Sequence, residues 1–134
     1  MSWDIFIQDL PEGIESVADI SEDFRPSALG CREELIAAIL EVFPRADFRD
    51  PAWGVLDEAD FSIEFNMGDR REVGSIVLHI RGGDSAAGAV ERLLSHLGRR
   101  ALDTGTGELF QGGSQSTKGI RRWRAYRDRI VEGD

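Results

Sequence analysis

The sequence feature that most constrains the fold is a pair of neighbouring segments in which apolar and polar residues alternate. They occupy positions 61–67 and 76–81, and the charged stretch 68–72 lies between them. Side chains on a strand point alternately to opposite faces, so each segment presents one apolar row and one mixed row. The sequence therefore predicts an antiparallel hairpin with one buried face. The predicted buried row comprises Phe61, Ile63, Phe65, Met67, Ile76, Leu78 and Ile80.

Further periodic segments predict the rest of the domain. Residues 3–8 alternate and also carry an apolar residue on the second face, which predicts a strand inside the sheet rather than at its edge. Apolar residues at helical spacing predict helices over 32–43 and 86–97, and short strands are predicted over 54–57 and 101–103. The predicted fold class is α+β, a two-layer sandwich with a mainly antiparallel sheet and two helices on one face. Ferredoxin-like connectivity would satisfy this order of elements.

Residues 11–30 form a long irregular connection between the first strand and the first helix. Its predicted apolar anchors are Ile14, Val17, Ile20 and Phe24. Such a connection either covers one edge of the core or serves as a functional loop, and the sequence leaves both readings open.

The C-terminal part of the chain differs from the rest in composition. Residues 111–119 are rich in Gly and Ser without an apolar anchor, which predicts a flexible linker after an α+β domain over 1–110. Residues 120–132 predict an appended basic amphipathic helix, with Trp123 and Arg124 as candidate partner-binding residues. This helix is expected to dock on its own domain or on a second subunit, as in a homo-oligomer. Binding to nucleic acid or to a membrane surface is the alternative.

Composition and charge restrict the class of protein. The chain has the length of one domain and no run of about 20 apolar residues that would span a membrane. Its N-terminus lacks the pattern of a secretory signal, and Cys31 is the single cysteine, so a cytoplasmic location is expected. The net charge is −9, with 17 Asp/Glu against 4 Arg in residues 1–69. An acidic surface disfavours nucleic acid and favours a basic protein partner.

The polar row of the predicted sheet contains the candidate acid–base residues, Asp4, Glu64 and His79. A histidine near carboxylates can act as a general base, and the same residues can equally form cross-strand pairs on a solvated face. We predict no metal and no cofactor, because Cys31 and the two histidines are isolated and no phosphate-binding loop has the required spacing.

Two functions remain open at this point. The first is a non-catalytic, cytoplasmic protein-binding module whose acidic surface attracts a basic partner, with Glu58, Asp60 and Glu64 among the steering carboxylates. The alternative is a small enzyme that uses His79 and Glu64, with Asp4, on the open face of the sheet. The sequence favours the binding module, since the chain contains no nucleophile–base pair, no set of metal-ligating residues and no phosphate-binding loop.

Three stretches of the sequence carry a resemblance. They are residues 1–11 (MSWDIFIQDLP), 51–54 (PAWG) and 79–84 (HIRGGD). With these motifs the chain resembles a family of small uncharacterised bacterial proteins, over most of its length up to residue 110. The resemblance implies a bacterial, cytoplasmic source and provides no catalytic residues. In size, acidity and order of elements, the chain is also similar to immunity proteins that neutralise basic toxins.

Overall fold

The structure, a computed structural model, describes residues 2–110. The predicted linker over 111–119 and the predicted helix over 120–132 lie outside the described residues. A 3₁₀ turn, Val17–Asp19, lies in the irregular connection. The helices are α1 (Arg32–Val42) and α2 (Ser85–Leu97), and the strands are β1 (Trp3–Gln8), β2 (Gly30–Cys31), β3 (Trp53–Asp57), β4 (Phe61–Asn66), β5 (Glu72–Val73), β6 (Ser75–Gly82) and β7 (Ala101–Asp103).

The main sheet has five strands in the order β3-β4-β6-β1-β7, and every pairing in it is antiparallel. The predicted α+β class with a mainly antiparallel sheet is therefore confirmed, and β1 lies inside the sheet as predicted. Ferredoxin-like connectivity is also confirmed, because β1, α1, β4, β6, α2 and β7 follow the order β-α-β-β-α-β, antiparallel β6 lies between β1 and β4, β7 lies on the other side of β1, and β3 is an added edge strand. Here three strands follow one another as a meander, β3-β4-β6, and β1 pairs antiparallel with the last of them.

The core lies between one face of the sheet and the two helices. The inward residues of β1 and β6, and those of β4 from Ile63 onward, are buried in alternation with half-buried or exposed residues, as the sequence predicts. Phe61, predicted in the same buried row, lies at the start of β4 and is only half-buried against the core. Helix α2 contributes mainly small and branched apolar residues to the core, whereas α1 has Ile39 as its one fully buried residue. Helix α2 ends at Gly98, whose left-handed backbone (φ 63°) is a conformation that glycine adopts without steric cost.

The irregular connection covers the side of β7 that faces away from the helices. Leu102, which lies opposite Phe6, is buried there with Leu10 and Ile14 in a second apolar cluster. The guanidinium of Arg100 donates hydrogen bonds to the carbonyl oxygens of residues 10 and 11 and fixes the start of the connection. The prediction that Val17 is an apolar anchor is wrong, because 54% of its surface is exposed.

The 3₁₀ turn in this connection is stabilised by the side chain of Asp19. The carboxylate of Asp19 accepts hydrogen bonds from the backbone N–H groups of Glu15 and Ser16, at 2.9 and 3.2 Å. These bonds favour the charged form and lower the pKa of Asp19 below its usual value.

A two-stranded ribbon of β2 and β5 was not predicted from the sequence. Val73 is buried at 2% exposure, and its carbonyl oxygen accepts a hydrogen bond from the backbone N–H of Leu29 at 2.7 Å. The backbone N–H of Arg32 donates to the carbonyl oxygen of Arg71 at 2.8 Å. The ribbon therefore attaches the start of α1 to the turn before β6. No helix within residues 2–110 is long and apolar enough to cross a membrane.

Candidate functional site on the open sheet face

The sheet side opposite the helices is the candidate site, and we call it the open sheet face. Direct cross-strand pairs share a face, so the row Val55, Glu64, His79 and Asp4 runs across β3, β4, β6 and β1. The other members of this face are Phe6, Gln8, Trp53, Asp57, Ser62, Asn66, Ser75, Val77, Arg81 and Leu102, the last of which the irregular connection covers.

His79 and Asp4 make the central polar contact of the face. The Nδ1 atom of His79 lies 2.9 Å from Oδ1 of Asp4, and the hydroxyl of Ser2 donates to the same oxygen. Because a carboxylate only accepts hydrogen bonds, Nδ1 carries the proton in this contact. The Nε2 atom of His79 has no hydrogen-bond partner among residues 2–110.

Trp53 stacks on the imidazole of His79. The ring centroids are 5.4 Å apart and the ring planes are inclined by 17°. Trp53 is 37% exposed, and it is one of two large hydrophobic side chains that are exposed in the described part of the chain. Since Asp4 holds His79 from one side, the indole is supported by a ring whose orientation is fixed. The result is a positioned, solvent-accessible aromatic side chain that extends from the edge strand β3 over the sheet face to His79 in β6.

Glu64 lies directly opposite His79 and is paired with a different residue. Its carboxylate is 3.5 Å from the guanidinium of Arg81, and both side chains are partly exposed. A single exposed pair of this kind contributes little to stability, in the range of about 0–1 kcal/mol. The Glu64 carboxylate nevertheless places a negative charge near the stacked rings of Trp53 and His79.

The hairpin of β3 and β4 carries most of the carboxylates near the face. Residues 47–64 include six Asp/Glu and one Arg. Glu58 forms an ion pair with Arg45, whereas Asp57 and Asp60 form no ion pair among the described residues. Asp47 accepts hydrogen bonds from the side chain and the backbone N–H of Arg49, which lower the pKa of its carboxyl. The edge of the face near β3 is therefore negative at neutral pH.

The structure brings together some of the residues predicted from the sequence. Asp4 and His79 are in contact, and Glu64 is their neighbour in the same cross-strand row. Glu58 and Asp60 lie at the turn between β3 and β4, outside that row. Trp123 and Arg124 lie outside the described residues.

Trp53 is the residue that sequence reasoning missed. The predicted strand over 54–57 left it in a turn, whereas β3 begins at Trp53. The signal was present, because Leu56 faces the core and strict alternation then places Trp53 and Val55 on the opposite side.

The chemistry available on this face is limited but specific. An imidazole oriented by a carboxylate is a possible general base. Ser2 donates to Asp4 rather than to His79, so the hydroxyl is not activated as a nucleophile. Within residues 2–110, no group of three or more His, Cys, Asp or Glu side chains could hold a metal ion.

Comparison of the chain with protein-family models, with curated proteins and with solved structures gave no match in any of the three. The geometry of the open sheet face is accordingly the basis for any functional assignment.

Proposed function

We propose that this chain is a non-catalytic protein-binding module whose open sheet face binds a basic protein. The observation that carries the proposal is Trp53, exposed and stacked on His79, whose Nδ1 is held by Asp4. Protein interfaces concentrate their binding energy in a few well-positioned residues, and Trp is prominent among them. A side chain that is already held in one orientation loses little entropy on binding.

The surroundings of Trp53 support a basic partner. The half-buried apolar residues Phe6, Val55 and Val77 lie on the same face, and Glu64, Asp57 and Asp60 lie around it. An apolar centre with a charged rim is the usual anatomy of a protein interface. Carboxylates in the rim attract a basic protein over a distance and raise the association rate, more strongly at low salt.

A capture experiment with two matched variants tests the proposal. Immobilised wild-type protein, Trp53→Ala and Val17→Ala would be incubated with a cell extract, and retained proteins identified by mass spectrometry. Val17→Ala is the control, because Val17 is the other exposed large hydrophobic residue and lies in the irregular connection. We expect a basic protein that wild type and Val17→Ala retain and Trp53→Ala does not.

The purified partner then allows a quantitative measurement. Loss of a central Trp contact costs about 2 kcal/mol or more, which is a weakening of about 30-fold. Charge reversal at Asp57 and Asp60 should slow association, with the largest effect at low salt. Equal affinity of the Trp53→Ala and Val17→Ala variants would contradict the proposal.

A second candidate function is general-base catalysis by His79, and the Asp4–His79 contact favours it. In catalytic sites a carboxylate commonly orients the imidazole through one ring nitrogen and leaves the other for the substrate. The variant His79→Phe keeps an aromatic ring beneath Trp53 and removes the acid–base group. If a substrate screen finds turnover that His79→Phe abolishes, the enzyme function is favoured; retained partner binding by this variant favours the binding module.

A further inference from the structure

Two grooves that meet along α2 lie on the helix side of the sheet, away from the open sheet face. The first has a volume of about 650 Å³ and is lined by α2 and by Val42 of α1. The second has a volume of about 360 Å³, lies at the C-terminal end of α2 and extends to Phe110. Glu91 and Ser95 line both, so together they form one surface, which we call the α2 groove. Volumes of about 300–1,000 Å³ are usual for small-molecule sites.

The α2 groove is a cationic surface on an acidic domain. Residues 1–110 contain 22 Asp/Glu and ten Arg, whereas residues 91–100 contain three Arg and one Glu. All three arginines, Arg92, Arg99 and Arg100, line the groove. None of them forms an ion pair with a carboxylate within residues 2–110, although three arginines elsewhere in the domain do. The described part of the chain therefore leaves their charges without a counter-ion.

The two carboxylates nearest to these arginines already have partners. The carboxylate of Glu41 in α1 lies 2.6 Å from Nε2 of His96, which lines the groove. Glu91, the carboxylate in the lining, has an interaction of its own. With three guanidiniums against this one carboxylate, the lining is positive at neutral pH and attracts an anion.

Hydrogen bonds to backbone carbonyl groups hold two of the guanidiniums in place. Arg99 donates from Nη2 to the carbonyl oxygen of Leu29 at 3.1 Å, and Arg100 donates from Nη2 to those of Leu10 and Pro11 at 2.6 and 3.0 Å. These neutral acceptors use only some of the N–H donors of each guanidinium and do not cancel its charge. Because both side chains are already ordered, they lose little conformational entropy when an anion binds.

An apolar wall lies beside the fixed guanidiniums. Leu94 is buried and Phe110 is half-buried, and both line the groove. The ring of Phe110 packs against that of Trp3 with centroids 6.0 Å apart, so its position is supported by the core. Small-molecule sites typically combine such apolar walls with a few fixed polar groups, which suits a ligand with an apolar body and one charged group.

We propose that the α2 groove binds a small organic anion. Its carboxylate or phosphate group is held by Arg99 and Arg100, and its apolar body packs on Leu94 and Phe110. Arginine binds both kinds of anion through paired N–H donors. The site does not depend on the proposed function of the open sheet face, because the two lie on opposite sides of the sheet.

An NMR titration of the isotope-labelled, full-length protein tests the proposal with phenyl phosphate, phenylacetate, inorganic phosphate and phenol. At least one of the two aromatic anions should give saturable shifts at residues 91–101 and Phe110, with a Kd of about 1 mM or below. Inorganic phosphate and phenol each lack one half of the ligand, so they should bind at least about tenfold more weakly. The tighter of the two aromatic anions identifies the charged group that the site prefers.

Ser95→Glu and Ser95→Gln are a matched pair of variants at an exposed position of the groove. Their side chains have nearly the same size, so Ser95→Glu should weaken binding of the aromatic anion at least about tenfold by charge repulsion, while Ser95→Gln retains it. Arg99→Gln should also weaken binding at least about tenfold, because it removes a charged donor. The control for Arg99→Gln is Arg25→Gln, since Arg25 likewise donates to backbone carbonyl groups but lies outside the groove.

Any one of four results would overturn the proposal. Neither aromatic anion shifts the groove residues, or phenol binds as tightly as they do, so that charge is irrelevant. Inorganic phosphate binds as tightly as phenyl phosphate, which would indicate an adventitious ion only. Ser95→Glu retains full binding, which would place the anion elsewhere. A urea midpoint equal to that of wild type in each variant shows that lost binding does not reflect lost folding.

Discussion

Gly54 gives the sharpest test of how the site is built, because it follows Trp53 in β3 and is buried against the core. A Cβ at this position would lie 2.3 Å from Cε1 and 2.4 Å from Cζ of Phe48. Carbon atoms pack at about 3.5–4.0 Å, so the ring of Phe48 would have to move by more than about 1 Å. That ring packs against fully buried Phe65 with centroids 5.6 Å apart, and its displacement disturbs the core.

We expect Gly54→Ala to lower the free energy of unfolding by about 1–3 kcal/mol, the usual cost of overpacking. Urea denaturation with an unchanged m value measures this effect. In a Phe48→Ala background the clash is removed, so the same substitution should cost less than about 0.5 kcal/mol, which is a coupling of about 0.5 kcal/mol or more. Equal costs in the two backgrounds would refute the steric explanation. Gly74→Ala, which has open space around it, is the control and should be nearly neutral.

Three further predictions concern the sheet and the irregular connection. Phe65→Asp should destabilise the fold by about 3–5 kcal/mol or more, through lost burial and a buried charge, whereas Asn66→Asp on the open sheet face should cost little; similar urea midpoints would show that the faces are misassigned. Asp103→Ala should cost about 1–3 kcal/mol, because the buried indole N–H of Trp3 loses the carboxylate oxygen that accepts it at 2.9 Å, and the loss should shrink in a Trp3→Phe background. Asp19 has a folded pKa below its unfolded value, so its contribution to stability is present above about pH 4 and is lost as the pH falls through the lowered pKa. An NMR titration midpoint of Asp19 at or above about 3.9 would contradict this.

The faces of the strands could be predicted from the sequence because burial follows a period of two. Phe65 and Leu78 are directly opposite each other, and both are fully buried, as the alternation within each strand requires. Helix α1 was also predictable, since Pro44 cannot continue a helix and the apolar spacing ends just before it. These features depend on local patterns, which a single sequence contains.

The arrangement of the candidate site depends on information that no local pattern contains. The contact of Asp4 with His79 requires β1 to pair with β6 in one register, although the two residues are 75 positions apart. Periodicity places both on the polar side of their strands and leaves the strand order open. The ribbon of β2 and β5 is similarly invisible, because two-residue strands are too short to show a period.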